Sequence, residues 1–497
     1  MQGNGNEINS REMIKLTDRV RAYTIENILG DSDQIYYKTT SNVDTNVKDF
    51  LDDISAKLDV LMDDTDVEAK FAYGVQWDKT ASSPDCTRVG NMLLHAMLPV
   101  QSQMRGCLLD DNGNVVKYLN ETDWSEETLD GSQGQVMVEI PKFYWKFSES
   151  GNTQSVMLSQ VPIEGYTKVP KRYISAYEAT VDNNNSSNTS TWKLASVKST
   201  STRYRGGGNE SSKDSTYKTG LGMPRTNVTL ENYRTYARRR KSGTYEWNCY
   251  DYMSHKILFW LFVVEYATRY SQKSVSDTTT VSGFKTGGLG AGVTTLTDAE
   301  WNSYFNYYPI IPCGTTDALG NGSGQVAYNV PSSAVGETLK VVQVPRYRGI
   351  ENPFGHIWKM TDGAKFMIES GDTNNGESKF YACYTPSQYG SATGSSTGNY
   401  IYIGNEPRQN GWVKEIFFGS GGDLFCKTHG GSDVTYYTDY HYVNIPATGS
   451  TQPRLALFGG ISSAGSSAGF VYSYSSYAFS STHASRGSRL CFIPNAI

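Results

Sequence analysis

Glycine and the small polar residues punctuate this chain so often that few long regular elements can form in it. Forty-eight glycines stand among 35 tyrosines and many Ser, Thr and Asn residues, a mixture that predicts short strands joined by many turns. Runs such as "GGLGAGV", "GNGSGQ" and "GSATGSSTGN" leave long irregular connections, and long loops in a domain of this kind usually carry recognition. At 497 residues the chain exceeds one ordinary domain, so two or three units with real cores are expected.

The formal charge of -5 is spread over interleaved acids and bases, which excludes the basic stripe of a nucleic-acid binder. The opening "MQGNGNEINSREMIKL" lacks a secretory start, and the longest apolar run, Ile257 to Val264, is too short to cross a bilayer. Synthesis in a cytoplasm without membrane insertion is therefore expected. Seven scattered cysteines with no CxxC pair suggest buried thiols, neither a disulfide framework nor a zinc site.

Three textures divide the chain. Residues 1–70 are helical, and Val47, Leu51, Ile54, Leu58 and Leu61 recur at spacings of four and three, a heptad seam. Leu at one seam position and Ile at the other favour three or more helices, so a homotrimer is expected, with 1–70 the attachment and oligomerisation segment. Residues 71–165 form a β-rich connector: "CLLDDNGNVVKYL" predicts a hairpin turning at Asn112 and Gly113, and "GQVMVEIPKFYWKF" two strands separated by Pro141. Residues 166–497 begin with helices over Thr229–Lys241 and Tyr252–Gln272, then turn to strands and loops, giving α+β overall. The basic run Arg238–Lys241 falls at the end of the first helix, where it complements the helix dipole.

Three ordered stretches, "LFWLFVVEYATRYSQ", "YRGIENPFGHIWKMTDG" and "LFGGISSAGSSAGFVYSYSSYAFSSTHASRGSRLCF", resemble the C-type-lectin fold in its formylglycine-generating-enzyme-like branch. They are more similar still to the variable proteins diversified by retroelements. Upstream, "YGVQWD", "CLLDDNGNVVKYL" and "VMVEIPKFYWKF" are similar to tail receptor-binding proteins of phages of gut bacteria. The resemblance implies that Gly355, His356, Ile357 and Trp358 belong to a core strand, that Gly459 and Gly460 serve special backbone geometry, and that Ser488–Phe492 close the sheet. It also implies a diversified surface near residues 462–485. From Ser462 to Ser488 there is no Lys, Glu, Gln, Met or Trp, as rewriting of adenine codons with a fixed pyrimidine end requires.

Tyrosine offers a large amphipathic contact with few rotors, and serine and glycine offer adaptable polar contacts, the composition of antibody binding loops. Phe470, Tyr472, Tyr474 and Tyr477 are the expected anchors. Ser462, Ser463, Ser466, Ser467, Ser475, Ser476, Ser480, Ser481, His483 and Ser485 are the expected rim. Tyr472 and Tyr474 should share a face if extended, and "YYTDYHY" (436–442) either extends the surface or lies in the core. No catalytic residue, metal or cofactor is expected. Glu406 and Pro407 suggest a lectin calcium site, but Arg408 stands where its amide should be, and the six histidines show no ligand spacing. The implied function is a non-enzymatic phage-tail adhesin on the virion, binding a host-surface protein or glycan and joined by its N-terminus to other tail or baseplate proteins. A bacterial cell-surface adhesin, a formylglycine-generating-type oxidase and a purely structural tail component remain alternatives.

Overall fold

A computed structural model describes residues 36–38, 44–46, 67–276, 278–334, 336–390 and 396–496. Val47, Leu51, Ile54, Leu58 and Leu61 lie outside the described residues. Within the segment expected to be helical, Tyr36–Lys38 and Asp44–Asn46 instead form an antiparallel strand pair.

The protein is α+β, with several sheets packed around one nearly continuous helix. That helix, Tyr252–Tyr266, is capped by Asp251, whose carboxylate accepts from the Ser254 amide at 2.7 Å. It stops short of the expected Gln272, because Ala267 turns left-handed (φ 52°) and Thr268 bridges to Asp85. It is buried on every side except at Met253, as expected of a helix apolar all round. Its flanking charges go inside as pairs: Lys256 lies 2.9 Å from Asp423, and Glu265 lies 2.6 Å from Arg348. The shorter helix Leu230–Arg238 starts at the Thr229 cap and runs into a 3-10 turn over Arg239–Lys241, so the basic run does mark its end.

The expected hairpin is present: Arg105–Leu109 pairs antiparallel with Val115–Tyr118, and Gly113 takes a φ of 91° at the turn. Pro141 separates two strands as expected, and it also divides two sheets. Gln135–Ile140 enters a six-stranded sheet, whereas Phe143–Ser150 enters a five-stranded one with Thr153–Ser159 and Ala72–Asp78.

The six-stranded sheet runs Trp247–Cys249, Leu490–Phe492, Arg172–Ser175, Gln135–Ile140, Arg105–Leu109, Val115–Tyr118. It therefore joins three strands from beyond residue 165 edge to edge with three from before it, and one hydrophobic core likewise joins Tyr73, Val136 and Trp145 to Leu261, Phe470 and Cys491. The chain from 71–165 and the chain from 166–496 do not have separate cores. The closing strand is central: Leu490 and Phe492 face one cluster and Cys491 the other, the alternation a strand imposes.

A nine-stranded sheet shares a hydrophobic cluster with the six-stranded one. Its longest strand, Trp358–Ile368, is buried throughout and pairs with Ser378–Ala382 and Gln452–Phe458. Trp358 is a core anchor, 4% exposed. Gly459 and Gly460 have φ of 97° and 82°, and a Cβ on Gly460 would stand 2.9 Å from that of Ala468.

Candidate functional site: a tyrosine stack on the nine-stranded sheet

The segment from Ser462 to Ser485 divides into scaffold and surface. Its first half is stitched down. The Ser462 amide and hydroxyl both donate to the His356 carbonyl, at 3.0 and 2.9 Å. The Phe470 amide donates to Ser271 Oγ at 3.1 Å, and the Val471 amide to the buried Asp439 carboxylate at 2.7 Å. Phe470 is fully buried among Phe259, Phe262 and Phe354, with ring centroids 5.4–6.0 Å away. Tyr472 is 8% exposed and packs edge-on against Trp358 at 4.8 Å. These two expected anchors are core residues; the aromatic bulk that suggested contact with a ligand is taken up by the protein's own interior.

The surface begins at Tyr474. Ser473–Tyr474 is a two-residue strand that pairs with Gln452–Phe458 on one side and, in parallel, with Tyr440–Tyr442 on the other. This pairing joins the two aromatic clusters of the sequence. Tyr442 stacks on Tyr474 with centroids 4.4 Å apart and planes 6° from parallel; Tyr474 stacks on Tyr477 at 5.3 Å and 18°. The Arg486 guanidinium lies 3.8 Å over the outer face of Tyr477, a cation–π cap. Trp358 supports the row from below, 5.1 Å from Tyr474, and Tyr440 meets Trp412 edge-on at 5.3 Å. Tyr442, Tyr474 and Tyr477 are all half-buried.

Tyr472 and Tyr474 do share a face, since both rest on Trp358, and Ser473 and Ser475 point the other way. Ser475 donates from its hydroxyl to Glu406 Oε1 at 2.9 Å, and Ser473 Oγ lies 3.3 Å from His441 Nδ1. His441 Nε2 lies 3.0 Å from the Pro407 carbonyl, which assigns its proton to that nitrogen. Burial pushes the Glu406 carboxyl well above the usual carboxylate range and holds His441 down to about 4, so this layer is neutral. Arg408 spends its guanidinium on the carbonyls of Glu369, Asp372 and Glu377, each at 2.9 Å, fixing the 369–377 loop from within. Among the described residues no group of three or more His, Cys, Asp or Glu side chains is placed to hold a metal.

Of the remaining expected rim, Ser466 and Ser480 are exposed, and Ser463, Ser467, Ser476, Ser481 and His483 are half-buried. Ser462, Ser475 and Ser485 are buried; their hydroxyls bond the His356 carbonyl, the Glu406 carboxyl and the His483 ring instead of facing solvent. Two residues that the sequence did not suggest connect the rim. Asp298 accepts from Ser463 Oγ at 3.2 Å and from the Tyr307 hydroxyl at 2.8 Å, and the Tyr307 ring lies 5.7 Å from that of His483. Their chain distance from the Tyr/Ser stretch hides them. The other cluster, Tyr436–Tyr442, is part surface and part core: Tyr437 is 1% exposed, whereas Tyr440 and Tyr442 line the stack.

Cys491 is fully buried, and burial pushes its thiol far up, which leaves it unreactive. Neither a known family model nor a curated protein matches the chain.

Proposed function

We propose that this protein is a receptor-binding adhesin of a phage tail, built on a C-type-lectin-like scaffold of the retroelement-diversified kind. It carries its variable surface on residues 463–483 and works by binding alone. The observation that carries the reading is the stack Tyr442–Tyr474–Tyr477. It is a half-exposed aromatic row, assembled from two distant segments and held on a wide sheet, next to a serine-rich rim on the same chain stretch. Rigid tyrosines with adaptable hydroxyls around them are the economy of a paratope: much contact area for little frozen entropy. On this reading the protein acts on the virion as a homotrimer, tail or baseplate proteins hold its N-terminus, and several weak contacts add up to firm attachment to a host-surface protein or glycan.

Sequencing the gene across many sibling genomes tests the proposal. Substitutions should concentrate at Ser463, Ser466, Ser467, Tyr474, Ser476, Tyr477, Ser480, Ser481 and His483, while Gly459, Gly460, Phe470 and Leu490–Phe492 stay fixed. Substitutions spread evenly along 166–497 would remove the diversified-surface reading. Purified protein that fails to compete with phage for host cells would remove the adhesin reading.

A further inference from the structure

We propose that Lys359 and Glu178 condense inside the folded protein to form an isopeptide bond, tying the strand Trp358–Ile368 to the segment that enters the strand Thr180–Asp182. Both side chains are buried, 1% and 3% exposed, and 180 residues of chain lie between them. Lys359 Nζ lies 2.6 Å from Glu178 Oε1. The two form an ion pair in which Oε1 has no further partner among the described residues, while Nζ also donates to the Ile357 carbonyl at 2.8 Å. The nitrogen is therefore held in direct contact with the carboxyl group it would attack, in an ion pair shielded from water.

A second buried lysine, Lys256, provides the contrast. Lys256 makes a hydrogen bond to Asp423 Oδ1 at 2.9 Å, and the hydroxyls of Tyr252 and Tyr384 donate to the same oxygen at 3.0 and 2.9 Å. That carboxylate is fully solvated by the protein and has no cause to react.

At Glu178 the second oxygen is held for the reaction. His356 Nε2 accepts from the amides of Ile310 and Ile311, at 3.0 and 3.1 Å, which places the ring proton on Nδ1. Nδ1 lies 2.5 Å from Glu178 Oε2. Burial lowers the Lys359 ammonium to about 8, which makes its neutral, nucleophilic form accessible. Burial alone would lift Glu178, but Lys359 and His356 outweigh it and hold the carboxyl at about 2, so the resting state is an ammonium–carboxylate pair.

The step balances from that state. The ammonium gives one proton to Oε1, and the freed amine attacks the carboxyl carbon. The negative charge that develops on Oε2 is met by the His356 N–H. Oε1 leaves as water with a second proton from nitrogen, and Nζ–Cδ becomes an amide whose oxygen is Oε2. Two buried charges are exchanged for one neutral group and a released water, which relieves the desolvation cost of the pair. Proximity in the packed core takes the place of an activating cofactor.

Intact-mass spectrometry of the denatured full-length protein tests this without any variant. The expected mass is one water below the sequence mass. The tryptic map should contain Tyr173–Lys193 joined to Gly349–Lys365, with Lys359 uncut. K359M and E178Q, provided they fold by circular dichroism, should each recover the uncrosslinked mass expected from their sequences. Wild-type protein at the sequence mass, with Tyr173–Lys193 and Gly349–Lys359 found as separate peptides, overturns the proposal. A water loss that maps to any other peptide overturns it equally.

Discussion

Phe470 and Tyr477 lie seven residues apart in the same Tyr/Ser-rich stretch, and the structure gives them opposite roles, so substituting each with alanine should separate stability from binding. Phe470 is fully buried, with His255, Phe259, Phe262 and Phe354 around it. Its truncation loses the transfer energy of the ring and leaves a cavity that these large neighbours cannot collapse into, about 4 kcal/mol. That is a large fraction of the roughly 5–15 kcal/mol that keeps a typical domain folded. Tyr477 is half-buried and contributes one ring stack and one cation–π contact. Its loss should cost about 1–2 kcal/mol, taking each contact near the middle of its usual range.

Guanidinium unfolding followed by tryptophan fluorescence reads the first quantity, and adsorption of purified protein to host cells reads the second. F470A should move the unfolding midpoint strongly and reduce binding only in proportion to the unfolded fraction. Y477A should move the midpoint no more than about half as far as F470A and reduce adsorption at least tenfold. Y477F, which keeps the stack, should retain the stability of the native protein. A Y477A midpoint shift as large as that of F470A would refute the partition of this segment into scaffold and surface. So would an F470A protein of native stability.

Three further outcomes are expected. Replacing Leu51, Ile54 and Leu58 together by Asp should convert a trimer to a monomer in multi-angle light scattering, and an unchanged mass would place assembly elsewhere. Glu351 is buried beside Asp317, and burial lifts its carboxyl from the ordinary 4.5 to about 7; because the folded value is the higher one, its stabilisation is complete below pH 4.5 and is lost as pH rises towards 7. The loss should approach about 3 kcal/mol and be absent in E351Q, and equal slopes in urea titrations of the two proteins across pH 4.5–7 would remove the argument. G460A should cost at least about 1 kcal/mol more than G465A: both glycines have positive φ, but only at Gly460 would the new methyl group meet a neighbour, Ala468. Equal thermal shifts would show that the contact relaxes freely.

Features set by local chemistry were legible in the sequence. The Asn112-Gly113 turn, the break at Pro141 and the helix that starts at Thr229 each follow from residue types acting over a few positions, and each is found. The continuity of sheet and core across residue 165 was not legible in this way. Strand pairing of Arg172–Ser175 with both Gln135–Ile140 and Leu490–Phe492 depends on which distant segments meet, and no local pattern records that. The end of the long helix at Ala267 is a similar case, since a tertiary bridge from Thr268 to Asp85 stops a run whose composition could have continued.

The candidate site shows the same division at the scale of single side chains. Composition raised the expectation that the stretch 462–485 is a contact surface in the manner of a binding loop, and period-two alternation placed Tyr472 and Tyr474 on one face. Neither could say how deep that face lies. Depth is set by Trp358, whose ring meets both tyrosines: Tyr472 lies against it in the interior, while Tyr474 continues outward into the stack with Tyr442 and Tyr477. The serines divide for the same reason. Ser473 and Ser475 face inward to His441 and Glu406, so their hydroxyls satisfy a buried polar layer, whereas Ser476 and Ser480 face outward. A surface able to change its contacts while keeping its shape needs this arrangement, because each inward hydroxyl fixes the backbone from which the outward residues project. Diversification of the outward set is then nearly free of folding cost, and diversification at Ser475 would take from the buried Glu406 carboxyl the hydroxyl it accepts from.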